Sequence, residues 1–276
     1  MAVGRLCCLM MVTSAMAIGF ANPTTRSTRS RGGIDELMEE RREARTQKQL
    51  DAILSDCRKG RWSHVLEREG ITVWKRDSDP GDETASFSVK AACRCEVPAS
   101  VLTEILNTND AEVVKQFNPT IEGQHDVVCN RLERITYILT KPIFPLRARD
   151  FIIRTQHVKR GTTDMIVNSP TTHARTPSLV RSVVRGRLGG IHVIEATGAD
   201  ACWYTMVHQI DPAGAAPRKI VNWFALRKPV AYMEQLRALA LMKAARAREE
   251  LAMSRFDRWA AAWADAGQDA LAVMTA

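Results

Sequence analysis

Several common chemistries are missing from this sequence. It has no G-x-S-x-G elbow for an activated serine, no H-E-x-x-H for a catalytic zinc and no phosphate-cradling P-loop. No His or second Cys pair stands at zinc spacing beside Cys93-Arg94-Cys95, so a structural zinc module is excluded and no metal is expected. No block of Lys and Arg with interleaved aromatics occurs, and no zinc-finger or Gly-rich nucleic-acid signature. The formal charge of +8 therefore points away from nucleic acid and toward an anionic membrane surface. The uncharged run Leu6 to Ala21 is 16 residues, short of the roughly 20 that cross a bilayer as a helix.

Cysteine is present in odd supply. Of seven, Cys7 and Cys8 fall in an early segment read below as removable. That leaves Cys57, Cys93, Cys95, Cys129 and Cys202, so at least one thiol stays free. Alternation places the Cys93 and Cys95 side chains on one strand face about 7 Å apart, too far for an unstrained bridge. No structural disulfide framework is expected, and these cysteines read as small buried apolar side chains.

Residues 1–33 read as a targeting segment. Within 1–21, Arg5 precedes the uncharged run, and Ala15-Met16-Ala17 and Gly19-Phe20-Ala21 are acceptable cleavage contexts. Residues 22–33 are rich in Arg, Ser and Thr without an acid, a composition close to an organelle transit peptide. Together they suit the secretory route or an organelle reached through it, with a plastid as one candidate. The alternative is an N-terminus without an address on a cytoplasmic protein.

Ile34 to Lys59 spaces Leu37, Met38, Leu50, Ile53 and Leu54 for one side of a long helix, which Gly60 ends. Alternating runs Ile71–Lys75 and Phe87–Cys95 follow, joined by Asp77-Ser-Asp-Pro-Gly as a hairpin loop. Helices are expected over Ala99–Leu106, after Pro98, and through Val113 and Val114. Strands are expected at Val127–Cys129, Leu132–Leu139, Asp150–Val158, Met165–Asn168, Leu179–Val184, His192–Ala196 and Cys202–Ile210. Helices segregated from many strands predict an α+β domain with helices on one face of a curved, mainly antiparallel sheet. Such a sheet can enclose either a packed core or a ligand cavity.

The turn Asp211-Pro-Ala-Gly leads to Pro217, suited to a first helical position. Val221, Phe224, Ala225, Tyr232, Leu236 and Leu239 then give one apolar helical face, interrupted at Lys228 and Pro229. From Ala240 to Ala276 the chain lacks proline and is expected to continue as a helical extension. Phe256, Trp259 and Trp263 share a stripe there, for packing on the domain, on a partner or at a membrane interface.

Four landmarks stand in register: Trp62 upstream of Gly70-Ile-Thr-Val-Trp-Lys-Arg76, Arg149-Asp150-Phe151, the turn Asp211 to Pro217, and Ile220-Val221-Asn222. Over about Ile34 to Leu239 the chain resembles the START lipid-transfer domain family. The resemblance implies a helix-grip fold, in which a curved antiparallel sheet wraps a long C-terminal helix around an internal hydrophobic tunnel. It implies one bound lipid, transferred or presented between membranes, with no cofactor and no catalysis. The helix from Pro217 becomes a lid, with Val221, Phe224 and Ala225 facing the tunnel and Lys219, Arg227 and Lys228 toward solvent or membrane. Pro229 is a candidate hinge. Tyr204, Met206 and His208 share a strand face placed to reach the tunnel, with a hydrogen-bonded core histidine as the alternative reading of His208. Ile143 and Phe144, in Lys141-Pro-Ile-Phe-Pro145, are expected to touch the membrane. Arg149 and Asp150 are expected to anchor that loop through separate partners, since adjacent strand residues face opposite ways.

Sterol-type members carry a buried acid–arginine pair in the tunnel. Ungapped counting puts Ile138 and Thr155 at those two positions, with Arg154 on the opposite face. The expectation is a tunnel without its charged pair, and a more apolar ligand or a headgroup held elsewhere. Two alternatives stand beside lipid transfer: a helix-grip enzyme of the polyketide cyclase or aromatase type, using a group such as His208 or Tyr137, and a regulatory lipid sensor.

Overall fold

The computed structural model describes residues 51, 54, 55, 62–76, 87–130, 134–144, 146–177, 182–214 and 218–275, with side chains from 227 to 257 in the last stretch and from 88 onward in the second strand run. All elements lie within the unit Ile53–Ala276. The expected targeting segment 1–33, most of the expected helix Ile34–Lys59, the loop after Arg76 and the turn at 215–217 lie outside the described residues. Asp51, Leu54 and Ser55 are helical.

Among the described residues ten strands form one sheet: β1 (Ser63–Arg68), β2 (Ile71–Arg76), β3 (Phe87–Cys95), β4 (Ile121–Cys129), β5 (Arg134–Thr140), β6 (Ala148–Arg160), β7 (Thr163–Pro170), β8 (Val183–Arg185), β9 (Arg187–Ala196) and β10 (Cys202–Asp211). Their spatial order is β1-β2-β3-β10-β9-β7-β6-β5-β4. These pairs are antiparallel, and only β8 lies parallel, against β6. The sheet does not close, because β1 and β4 remain its two edges.

Between β3 and β4 the chain crosses through α1 (Ala99–Leu106) and α2 (Ala111–Phe117). Pro98 precedes α1 without a side-chain cap. The Asp110 carboxylate caps α2 by accepting from the backbone N–H of Glu112 at 2.9 Å and of Val113 at 3.4 Å. The final helix, α3 (Arg218–Thr275), contains Pro229.

Period-two alternation sends Val89, Ala91, Cys93 and Cys95 of β3, with Tyr204 and Met206 of β10, to the face that α3 covers. Val230, Met233, Leu236, Leu239, Ala240 and Ala244 bring the matching helical stripe, and α1 adds Leu102 and Ile105. Each large aliphatic side chain buried this way contributes about 1.5–3 kcal/mol. A second, smaller cluster, Ile121, Ile138, Phe151 and Ile153, lies on the β4–β6 wing. Burial along α3 ends at Ala244. Beyond it every described residue to Asp257 is exposed, Phe256 at 60% among them. Trp259 and Trp263 lie outside the described side chains.

Two local readings are corrected. Ser63–Arg68, which the sequence pattern did not separate, is strand β1, an edge strand with a bulge between His64 and Leu66. Its burial is too weak to give an alternating signal. The 7 Å spacing also overstates the separation of Cys93 and Cys95, because their side chains lean together until the Sγ atoms are 3.7 Å apart. Cys93, Cys95, Cys129 and Cys202 are in no disulfide.

Candidate ligand cavity

A cavity of about 510 Å³ lies between α3 and the sheet, within the ~300–1,000 Å³ usual for a small-molecule site. Lys228, Pro229, Ala231, Tyr232 and Gln235 of α3 cover it, and Val114 and Phe117 of α2 close one side. Its wall follows from alternation along the strands. On β6, Arg149, Phe151, Ile153 and Thr155 line it, while Asp150, Ile152 and Arg154 do not. Ile138 of β5 and Met206, His208 and Ile210 of β10 complete that surface.

The expected site residues divide into three groups. Ile138, Thr155, Met206 and His208 line the cavity, as do Ile143 and Arg149. Tyr204 sits behind the wall, fully buried. Val221, Phe224 and Ala225 lie on helical backbone, but their side chains are outside the described set. At the rim, Ile143 is half-buried and bonded by backbone to Leu146. Phe144 beside it is 96% exposed.

A polar chain runs through the apolar wall. The Tyr204 hydroxyl lies 2.8 Å from His192 Nδ1, and His192 Nε2 lies 3.5 Å from His208 Nε2. Tyr204 is also hydrogen-bonded to Tyr232, so the chain's two ends, His208 and Tyr232, both reach the cavity. Burial holds His192 well below the usual imidazole range, with His208 adding to the effect, and burial takes His208 down to about 4. Both rings are neutral near pH 7. Burial likewise keeps the Tyr232 phenol protonated.

The two counted positions, Ile138 and Thr155, line the cavity uncharged, but the wall is not without charge. Arg134, which the sequence reading passed over, lines the cavity and pairs with Asp126, its Nε 3.3 Å from Oδ1. The same guanidinium donates to Asn107 O at 2.6 Å and Thr108 O at 2.9 Å. Thr155 stands directly across the strand pair from Arg134, and Ile138 across from Phe151. Asp126 itself does not line the cavity, and the contact joins β4 to β5, where counting along β6 could not find it. One sequence signal existed: an arginine opening the otherwise uncharged strand Arg-Ile-Thr-Tyr-Ile-Leu-Thr.

Arg149 and Asp150 take separate partners. Asp150, 2% exposed, accepts both arms of Arg185, each at 2.7 Å. That hydrogen bonding raises the Arg185 pKa. Arg149 donates from Nε to Pro212 O at 3.3 Å and from Nη1 to Arg147 O at 2.6 Å. It therefore joins the rim to the turn before α3. Burial, and then Arg147 nearby, lower its pKa. That turn is further held by Asp211, whose carboxylate accepts from the Ala213 N–H at 2.9 Å.

Comparison with known proteins agrees with this geometry. The START domain family model matches residues 42–244. START domain-containing protein 10 of Homo sapiens and of Mus musculus are each 26% identical over 165 residues, covering 58% of this chain and 55% of theirs. The chain thus matches about half the length of these curated relatives. Among solved structures, human STARD10 superposes with a TM-score of 0.63 at 22% identity, covering 74% of this chain and 82% of that one. Human StAR-related lipid transfer protein 5 gives 0.62 at 15% identity, covering 75% and 98%. A STAR-related lipid transfer protein of Xanthomonas axonopodis gives 0.55 at 20%, covering 65% and 98%. An open antiparallel sheet gripping one long helix is the helix-grip fold, and with the family model matched across that sheet and the helix as far as residue 244, this chain belongs to the START domain family.

Proposed function

We propose that this chain holds a single lipid in the cavity beneath α3 and transfers or presents it between membranes. The observation that carries the reading is the pairing of an apolar internal cavity of about 510 Å³ with a rim residue, Phe144, left 96% exposed. Moving ~16 methylenes out of water contributes on the order of 10 kcal/mol at about 0.8 each. Apolar wall alone supplies capture, and the polar groups select the head. Lys141 and Arg147 flank Phe144, which suits shallow insertion at an anionic surface. No described helix is long and apolar enough to cross a membrane.

The reading is of a carrier, without catalysis. His208 is the natural base candidate in the wall, yet with its pKa taken down to about 4 it is a weak proton acceptor near neutral pH. Tyr232 is held in its protonated form. Tyr137 does not line the cavity, and burial and Asp150 both raise its pKa. The targeting segment supports delivery through the secretory route to an organelle.

Native purification followed by lipid mass spectrometry tests this. One lipid per chain, or one-for-one uptake from vesicles, is the expected result. A protein that comes out empty, takes up nothing from vesicles and moves no labelled lipid between them sinks the proposal. Turnover of a polyketide substrate would favour the cyclase reading in its place.

A further inference from the structure

Charge in the described cavity wall is one-sided. Arg134, Lys141, Arg147, Arg149 and Lys228 all line it, while none of the described lining residues is an Asp or Glu. Arg134 is already matched, by Asp126 and two backbone carbonyls. Lys141, Arg147 and Lys228 are exposed at the rim, where water screens them.

Arg149 differs from all of these. It is 8% exposed, and its described partners are two neutral carbonyls, Pro212 O and Arg147 O. No carboxylate among the described residues pairs with it, and Arg147 repels it. Those carbonyls engage Nε and Nη1, and Nη2 donates to no described residue. A buried guanidinium without a counter-ion is costly in an empty protein. It is strongly favourable toward an anion that arrives at fixed N–H donors in a low dielectric.

Resting on the lipid-binding reading above, we infer that Arg149 receives the phosphate of the cargo, and that the cargo is a phospholipid of net negative headgroup. Its acyl chains lie against the cluster of Ile138, Phe151 and Ile153, and the rim cations face the rest of the head. A zwitterionic choline head fits this wall poorly. Its phosphate would be satisfied, but its ammonium would find no carboxylate among the described lining residues, where the charged side chains are all Lys or Arg.

The test uses the full chain and vesicles containing phosphatidylcholine and phosphatidylglycerol of matched acyl chains in equal amounts. Both lipids then share one surface, and attraction of the basic protein to that surface cannot bias the result. Protein is re-isolated and its bound lipid quantified by mass spectrometry. A phosphatidylglycerol excess of tenfold or more is expected. The Arg149→Met variant should bring the ratio to near one, and Arg149→Lys should fall between. Glycerol phosphate at millimolar concentration should neither compete with uptake nor raise the thermal midpoint. Competition by it would identify a soluble phosphate ester as the ligand and overturn the lipid assignment.

Equal uptake by the wild-type chain, a phosphatidylcholine excess, or an unchanged ratio in a folded Arg149→Met would each overturn the inference while leaving lipid binding intact. Absence of any bound lipid would instead remove the reading beneath it. If Arg149→Met fails to fold, the wild-type ratio still decides, together with Arg147→Gln, which keeps the backbone acceptor of Arg149. Reducing the rim charge that way should lower the excess severalfold, and no change would count against the site.

Discussion

The Nε2 atoms of His192 and His208 face each other at 3.5 Å in the cavity wall, a contact that requires one ring to present a proton and the other a lone pair. Burial lowers both pKa values, that of His208 to about 4, against an unfolded value near 6.5. Between those limits the unfolded chain binds protons that the folded chain refuses. This contribution is therefore complete above pH 6.5 and is lost as pH falls toward 4, at about 1.4 kcal/mol per pH unit per histidine. Denaturant titrations from pH 7.5 to 4 should show His208→Gln with a shallower fall than wild type. Parallel profiles would show that His208 is not held neutral.

Gly190 stands opposite His208 in the β9–β10 pair. A Cβ there would collide with the Val207 carbonyl and come within 2.8 Å of His208 Cδ2. The carbonyl belongs to the sheet and cannot swing away. Gly190→Ala should cost about 1–3 kcal/mol as overpacking, read as a lower denaturation midpoint. A neutral substitution would mean that the two strands part more easily than their register implies.

Asp150 tests the anchor on the other face of β6. Arg185→Met removes both of its 2.7 Å bonds and leaves a carboxylate buried at 2% exposure, a loss of about 3–5 kcal/mol. The double variant Asp150→Asn/Arg185→Met should recover part of that stability. Identical stabilities for the single and double variants would refute the pairing.

Pro229 lies inside α3 and on the cavity's cover, and its ring removes one helical hydrogen bond at that turn. In Pro229→Ala the cover regains that bond. Transfer of labelled lipid between vesicles should slow several-fold while equilibrium binding changes less than twofold. Equal effects on rate and affinity would rule out hinge motion at this point.

Phe144→Ser should reduce attachment to anionic vesicles in sedimentation assays by several-fold with the thermal midpoint unchanged, because a side chain 96% exposed carries no core packing. Ile143 is the poorer probe, since it lines the cavity and pairs with Leu146. Unaltered attachment of Phe144→Ser would dismiss insertion by this loop.

Strands with one buried face were legible from sequence, and β3 appears with the bounds read from its alternation. So were α1 and the extended reach of α3. Edge strand β1 was not, because neither of its faces is deeply buried and a bulge breaks its period. For the cavity, the family resemblance supplied Ile138 and Thr155 and a shared strand face supplied Met206 and His208, and all four line it. What neither could supply was who faces whom across strands. Arg134 meets Thr155 through the β5–β6 register, and Asp126 arrives from β4 between two shifts of its ladder. Such meetings are set by turn lengths and pairing, which local composition does not encode. The sulfur contact of Cys93 and Cys95 escaped for a related reason: backbone spacing bounds side-chain distance only loosely.

The pairing of β3 with β10, Cys95 against Cys202, has a consequence in time. β3 emerges early in synthesis, but its inner edge must wait for a partner strand near the far end of the domain, and α3 comes later still. Contacts this remote in sequence fold slowly, and until they form β3 presents an unpaired edge open to mispairing. A nascent chain halted before Cys202 has neither finished wall nor cover. Loading must therefore wait until β10 and α3 have been made.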